Sequence, residues 1–197
     1  MRILFQGDSI TDCGRDRSDC HNLAGYTSFV AQLLGAEHEY INLGISGNRS
    51  SDVLARYDSD IRAVAPDIMT MLIGINDVWR RFDSDLYTSP AQFEENLRRI
   101  FTKFKADFPA AKLILLEPFT VPAGHNAHWR QHLIEMIDVV RALAVEFADG
   151  FIPLDGLFAK ASLTNDYAAL SSDGVHPDVA GQRLIAAALA EELKRFL

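Results

Sequence analysis

Runs of basic residues are absent from this chain. Its 19 lysines and arginines are scattered among 27 aspartates and glutamates, leaving a net charge of −8. Without a concentrated positive face, neither nucleic-acid phosphates nor an anionic membrane surface finds a partner. Long apolar stretches are missing too: nothing approaches the roughly 18 residues of a membrane span. The opening Met1-Arg2-Ile3-Leu4-Phe5 is too short for the apolar segment of a secretory leader. These absences predict a cytoplasmic protein with no nucleic-acid or membrane partner. Cysteine is scarce. Cys13 and Cys20 could bridge, but a lone pair in a chain otherwise free of cysteine reads as reduced thiols. There is no Gly-x-Ser-x-Gly elbow, no Gly-x-Gly-x-x-Gly dinucleotide fingerprint and no P-loop, which disfavours the α/β-hydrolase and nucleotide-binding classes.

What is present fits one domain over residues 1–197, without linker, repeat or low-complexity stretch. Hydrophobic residues make up 48% and charged residues 23%, enough of each for a full core and a soluble surface. Short apolar runs at Ile3–Phe5, Tyr40–Leu43, Ile68–Ile73, Leu113–Leu116 and Gly150–Pro153 predict buried strands. Between them run helical patterns: Val53, Leu54, Tyr57, Ile61 and Val64 on one face, then Phe93, Leu97, Ile100, Phe101, Phe104 and Phe108. The second pattern opens with Ser89-Pro90-Ala91-Gln92, an N-cap serine, a first-turn proline and a glutamine placed for a capping box. Strands that are apolar throughout, not alternating, require cover on both faces, hence parallel pairing with helical crossovers. The expected fold is a three-layer α/β/α sandwich with a five-stranded parallel sheet.

In such sheets ligands bind beyond the carboxyl ends of the strands. Ser9 follows the first strand, Gly47 the second and Asn76 the third. Each has a bland reading alone: a turn serine, a loop glycine and an asparagine forming a local turn. The chemical reading joins them. A serine hydroxyl attacks a carbonyl only if a base takes its proton and a carboxylate orients that base. Asp173-Gly174-Val175-His176-Pro177 supplies both, since Pro177 biases His176 toward extended geometry and lets Asp173 face the imidazole. Gly47 can offer an N–H to an oxyanion, and Asn76 a carboxamide N–H. Asp77 reads as a brace for its loop.

In this order, at successive strand ends, the clusters resemble the SGNH hydrolases, also called the GDSL esterase/lipase family. The likeness runs from Gly7 to Gly181: Gly7-Asp8-Ser9-Ile10, Gly47, Asn76 in Gly74-Ile75-Asn76-Asp77, and Asp173 with His176 match its four blocks in turn. The resemblance implies a flavodoxin-like SGNH fold with Ser9 as nucleophile, His176 as general base and acid, and Asp173 as orienting carboxylate. It implies an oxyanion hole of the Ser9 and Gly47 N–H groups and the Asn76 side chain. The stretches Gly7 to Arg15, Gly44 to Asn48 and Ile73 to Arg80 are similar to intracellular bacterial acetylxylan esterases. That implies a serine esterase of small acetyl esters on carbohydrate, needing no cofactor or metal, with homo-oligomers among its relatives. One departure touches the sugar specificity: the subgroup has a tryptophan before its last block, where this chain has Ser171-Ser172. The alternatives are a lysophospholipase or acyl-CoA thioesterase of the same family, and a silent ligand-binding protein on the same scaffold.

Asp8, Trp79, Arg80 and Phe119, beside the clusters, are candidates for lining the substrate pocket. His125, His128 and His132 could share a helix face, but the spacing is not that of a zinc protease helix and no glutamate stands between the first two.

Overall fold

The computed structural model describes every residue except Ala123, and the backbone alone at Gly124, His125 and Ala127. Five strands, β1 (Arg2–Gly7), β2 (Glu39–Asn42), β3 (Ile68–Leu72), β4 (Lys112–Leu116) and β5 (Gly150–Ile152), form one sheet in the order β2-β1-β3-β4-β5. Every pairing is parallel. The apolar runs predicted each strand to within about two residues.

The helices are α1 (Ser9–Asp12), α2 (Tyr26–Leu34), α3 (Ser50–Ala55), α4 (Ile75–Asp83), α5 (Pro90–Asp107), α6 (Arg130–Phe147), α7 (Leu154–Ala161), α8 (Tyr167–Leu170) and α9 (Val179–Leu193). They cover both faces of the sheet. α2 and α9 pack together, α7 and α8 join α9, and α5 packs against α3 and α6. The strands at the centre of the sheet bury side chains on both faces: Ile3, Leu4 and Phe5 of β1 and Leu113 and Ile114 of β4 are wholly enclosed. At about 1.5–3 kcal/mol for each large apolar side chain removed from water, this two-sided burial is the main stabilising term.

Two local expectations change. The face predicted over residues 53–64 is not one helix: α3 ends at Ala55, and Asp58–Arg62 forms a wider π-turn in which Arg62 N–H donates to Tyr57 O at 3.0 Å. Val53, Tyr57 and Ile61 nevertheless stay buried. At the start of α5, Ser89 Oγ accepts from Gln92 N–H at 3.1 Å as a cap should. The glutamine side chain does not return the bond; its Nε2 donates to Asn96 Oδ1 at 3.2 Å, a pairing available one turn along the helix.

The strand order reverses between β1 and β3: from β1 the chain goes first to β2 on one side, then to β3 on the other. The carboxyl ends of these two strands therefore border the crevice where such sheets take ligands.

Candidate active site

β1 runs straight into its turn because Gly7 has no side chain. A β-carbon there would stand 2.4 Å from both Leu72 O and Thr11 Oγ1. Asp8 then caps α1, its Oδ1 accepting from Ile10 N–H at 3.0 Å, so Ser9 opens a single helical turn at the strand end. The Ser9 hydroxyl lies 2.9 Å from His176 Nε2 although they stand 167 positions apart in the chain. His176 Nδ1 lies 2.6 Å from Asp173 Oδ2. A carboxylate can only accept there, so Nδ1 carries the proton and Nε2 presents its lone pair to the serine.

The loop holding Asp173 and His176 is tied from several sides. Asp173 Oδ1 accepts from the N–H groups of Val175 at 2.8 Å and His176 at 2.7 Å. Buried Ser171 donates to His176 O at 2.8 Å, and Asn126 Nδ2 donates to Asp173 O at 3.2 Å. Gln182, on α9, donates to Pro177 O at 2.9 Å and to Cys13 Sγ at 3.4 Å, linking this loop to α1. Partial burial pushes the Asp173 carboxyl up, but the bonds from the His176 ring and the two amides outweigh it and leave it below the usual carboxylate range.

Gly47 follows β2 with φ +83°, a left-handed conformation that glycine adopts without cost. Its loop is held by Asp12, whose Oδ2 accepts from Ser46 N–H at 3.0 Å, and by Asn48, whose carbonyl accepts from Asn76 Nδ2 at 3.1 Å. Asn76 sits in the first turn of α4, so β3 and its helix aim the carboxamide at that loop. Asp77 turns away from the crevice: its oxygens accept from Ser50 N–H at 2.9 Å and Ser50 Oγ at 2.7 Å, and Asn96 Nδ2 donates to Ser50 Oγ at 3.0 Å. This buried cluster joins α3, α4 and α5 behind the loop. Desolvation raises the Asp77 carboxyl to about 6. Asp8 is raised further, to about 7, by burial, and among the described residues its Oδ2 has no hydrogen-bond partner.

Ser9, Ile10, Cys13, Gly14, Ser46, His176, Pro177 and Gln182 line a cleft of about 240 Å³. Two larger clefts, of about 420 and 450 Å³, lie by Met1, Phe108 and Phe196 and along Arg141, Phe151 and Arg195; they share no residue with the Ser9–His176–Asp173 cluster. Of the four pocket candidates, Trp79 borders this cluster and Arg80 borders Asn76 and the Gly47 loop. The Trp79 ring lies 6.0 Å from the His176 ring and 5.0 Å from Trp129. Arg80 reaches Asn76 Oδ1 at 3.4 Å. The other two do not face it: Phe119 is fully buried with its ring stacked 4.0 Å from Phe158 of α7, and Asp8 is enclosed beneath α1.

His128 and His132 pack their rings around Phe82 at 4.8 and 5.8 Å, while the side chain of His125 lies outside the described residues. Among the described residues no three His, Cys, Asp or Glu side chains gather as a metal would require. Both cysteines are free thiols. No described helix is long and apolar enough to cross a membrane.

Sequence reasoning missed Arg56. Its Nε donates to Asn48 Oδ1 at 2.8 Å, Nη1 to Leu43 O at 2.9 Å and Nη2 to Gln6 Oε1 at 2.7 Å, and it pairs with Asp60. One guanidinium thereby joins the ends of β1 and β2 to the Gly47 loop. No local motif marks it, because its partners at Gln6 and Leu43 come from distant strands.

The model of the GDSL-like lipase/acylhydrolase family matches residues 5–184. The chain is 34% identical to an acetylxylan esterase of Geobacillus stearothermophilus, over 98% of this chain and 93% of that one. The crystal structure of that enzyme matches with a TM-score of 0.87. A candidate GDSL-like lipase of Parabacteroides merdae, also 34% identical, matches with a TM-score of 0.91 over 98% of this chain and 95% of the other. The thioesterase 1/protease 1/lysophospholipase L1 of Escherichia coli K12 is 28% identical over 98% of this chain and 83% of its own length. A family model spanning nearly the whole sheet, and relatives aligned almost end to end, place the chain: it belongs to the GDSL-like lipase/acylhydrolase family.

Proposed function

We propose that the protein is a serine esterase that removes acetyl groups from small, O-acetylated carbohydrates. The observation that carries this reading is the unbroken path from Ser9 Oγ to His176 Nε2 at 2.9 Å and from His176 Nδ1 to Asp173 Oδ2 at 2.6 Å. Ser9 Oγ attacks the acetyl carbonyl while its proton passes to Nε2. The oxyanion of the tetrahedral intermediate is met by the N–H groups of Ser9 and Gly47 and by Asn76 Nδ2. As the carbon–oxygen bond to the sugar breaks, Nε2 returns the proton to the departing hydroxyl, leaving an acetyl group on Ser9. Water then repeats the sequence: His176 takes its proton, the carbonyl is attacked, and acetate leaves as Ser9 regains its hydrogen. Asp173 stays ionised and stabilises the imidazolium between the two transfers. No cofactor enters any step.

The small cleft beside Ser9 and the likeness to an acetylxylan esterase support acetyl transfer to water from a sugar. Variants of that relative with a serine or a histidine replaced by alanine are described as catalytic mutants, in keeping with the roles given to Ser9 and His176. The test is Ser9→Ala assayed on p-nitrophenyl acetate and on acetylated xylo-oligosaccharides. Turnover should fall at least about a thousandfold while the melting temperature holds. Wild-type turnover in that variant would end the nucleophile assignment.

A further inference from the structure

The chemistry above leaves the Arg80 side chain without a task, although it is built into the site. Arg80 stands four residues after Asn76 on α4, so the two project from the same side of the helix. Its Nη2 donates to Asn76 Oδ1 at 3.4 Å and lies 3.7 Å from where a β-carbon on Gly47 would stand. The guanidinium thus spans from α4 to the Gly47 loop, over the groups proposed as oxyanion donors. Its other end is anchored: Nη1 pairs with Asp83, and the guanidinium carbon lies 5.3 Å from the centre of the Trp79 ring.

A carboxamide can turn either its nitrogen or its oxygen toward a given point, and the two orientations have nearly the same shape. Arg80 has only donors, so it bonds Asn76 through the oxygen. Asn48 O has only lone pairs, so it bonds Asn76 through the nitrogen. The two neighbours select one orientation, with the second hydrogen of Nδ2 left for the substrate. The opposite orientation would set Oδ1 against a developing oxyanion. A cation on the amide oxygen also polarises the amide and strengthens its N–H as a donor. It further places a positive charge near the point where negative charge appears during the reaction.

The geometry points to Arg80 as a positioning residue of the oxyanion hole, fixing which way the Asn76 carboxamide faces and supplying charge behind it. This inference rests on the esterase reading and gives that site an electrostatic component. It also separates Arg80 from the alternative of gripping a substrate anion, which would act on binding and not on turnover.

The experiment is a double-mutant cycle on p-nitrophenyl acetate, an uncharged ester that offers Arg80 no carboxylate. Arg80→Met keeps an apolar stem over Trp79 but loses charge and donors. It should lower kcat about ten- to hundredfold with KM changed by less than about threefold, somewhat less than the loss of an oxyanion donor itself. Arg80→Lys, which retains the charge, should recover part of the loss. In an Asn76→Ala background Arg80→Met should cost less than about threefold, because the group it orients is gone. Full additivity of the two losses, or an effect confined to KM, would overturn the assignment. Wild-type kcat in Arg80→Met together with inactive Ser9→Ala would sink this inference alone, whereas active Ser9→Ala would sink the esterase reading itself.

Discussion

Arg56 and Asn48 are joined by a 2.8 Å hydrogen bond from guanidinium Nε to carboxamide Oδ1, and through it the loop after β2 is fastened to the end of β1. The Asn48 backbone carbonyl, a few atoms away, holds Asn76. A cation that never meets the crevice therefore sets the relation between two of the proposed oxyanion donors. Burial pulls the Arg56 guanidinium below its usual range, with the Asp60 carboxylate opposing that pull.

Removing this cation leaves Gln6 Oε1, Leu43 O, Asn48 Oδ1 and the Asp60 carboxylate short of a donor. Arg56→Met, close in length, should destabilise the fold by about 2–4 kcal/mol, the range for uncompensated buried polar groups. Urea melts read this directly. Among molecules still folded, kcat on p-nitrophenyl acetate should fall while KM stays nearly constant. A variant as stable and active as wild type would show that the cluster does not hold the loop.

Asp8 gives a pH signature. Its carboxyl is raised to about 7 by burial, so between about pH 4 and 7 the folded state holds a proton that the unfolded chain has released. Its contribution is complete below the ordinary carboxylate range and is lost as pH rises through about 7. Asp8→Asn keeps the oxygen that caps Ile10 and cannot ionise. Relative to wild type, the variant should gain on the order of 2–4 kcal/mol in stability between pH 5 and 8.5. Asp77, raised to about 6, acts in the same direction in both proteins and cancels in the difference. Parallel melting curves across that pH range would contradict the assignment.

Acyl length separates the proposed reading from a thioesterase or lysophospholipase activity. The cleft beside Ser9 is about 240 Å³ and is bounded by Ile10, Cys13 and Pro177. Along a series of p-nitrophenyl esters, kcat/KM should be highest for acetate and fall at least about tenfold by octanoate, since overfilling a packed pocket costs 1–3 kcal/mol or more. A rising series would favour the long-chain reading.

The sheet was legible because each strand is apolar on both faces, a pattern that depends only on neighbouring residues. Asp173 and His176 were legible for a related reason: they lie in one short motif, and Ser9, Gly47 and Asn76 each follow a strand. The supports were not. Arg56 meets Gln6 from 50 positions away, and Asn96 meets Ser50 from 46, so no window along the sequence contains either pair. Phe119 misled because its place after β4 suggested an open loop, whereas α7 brings Phe158 over it. Arg80 was legible as a neighbour of the site, but not its bond to Asn76, which requires knowing that α4 begins at Ile75.

The 167 positions from Ser9 to His176 give the protein a chronology. During translation the Ser9 hydroxyl is made long before its proposed base and waits, no more reactive than any other alcohol, until residue 176 has followed. Where hydroxyl and imidazole meet, Gln182 of α9 clasps both Cys13 and Pro177. On the proposed esterase reading, a polypeptide ending before this junction is chemically mute, so activity doubles as a report that synthesis has passed Gln182.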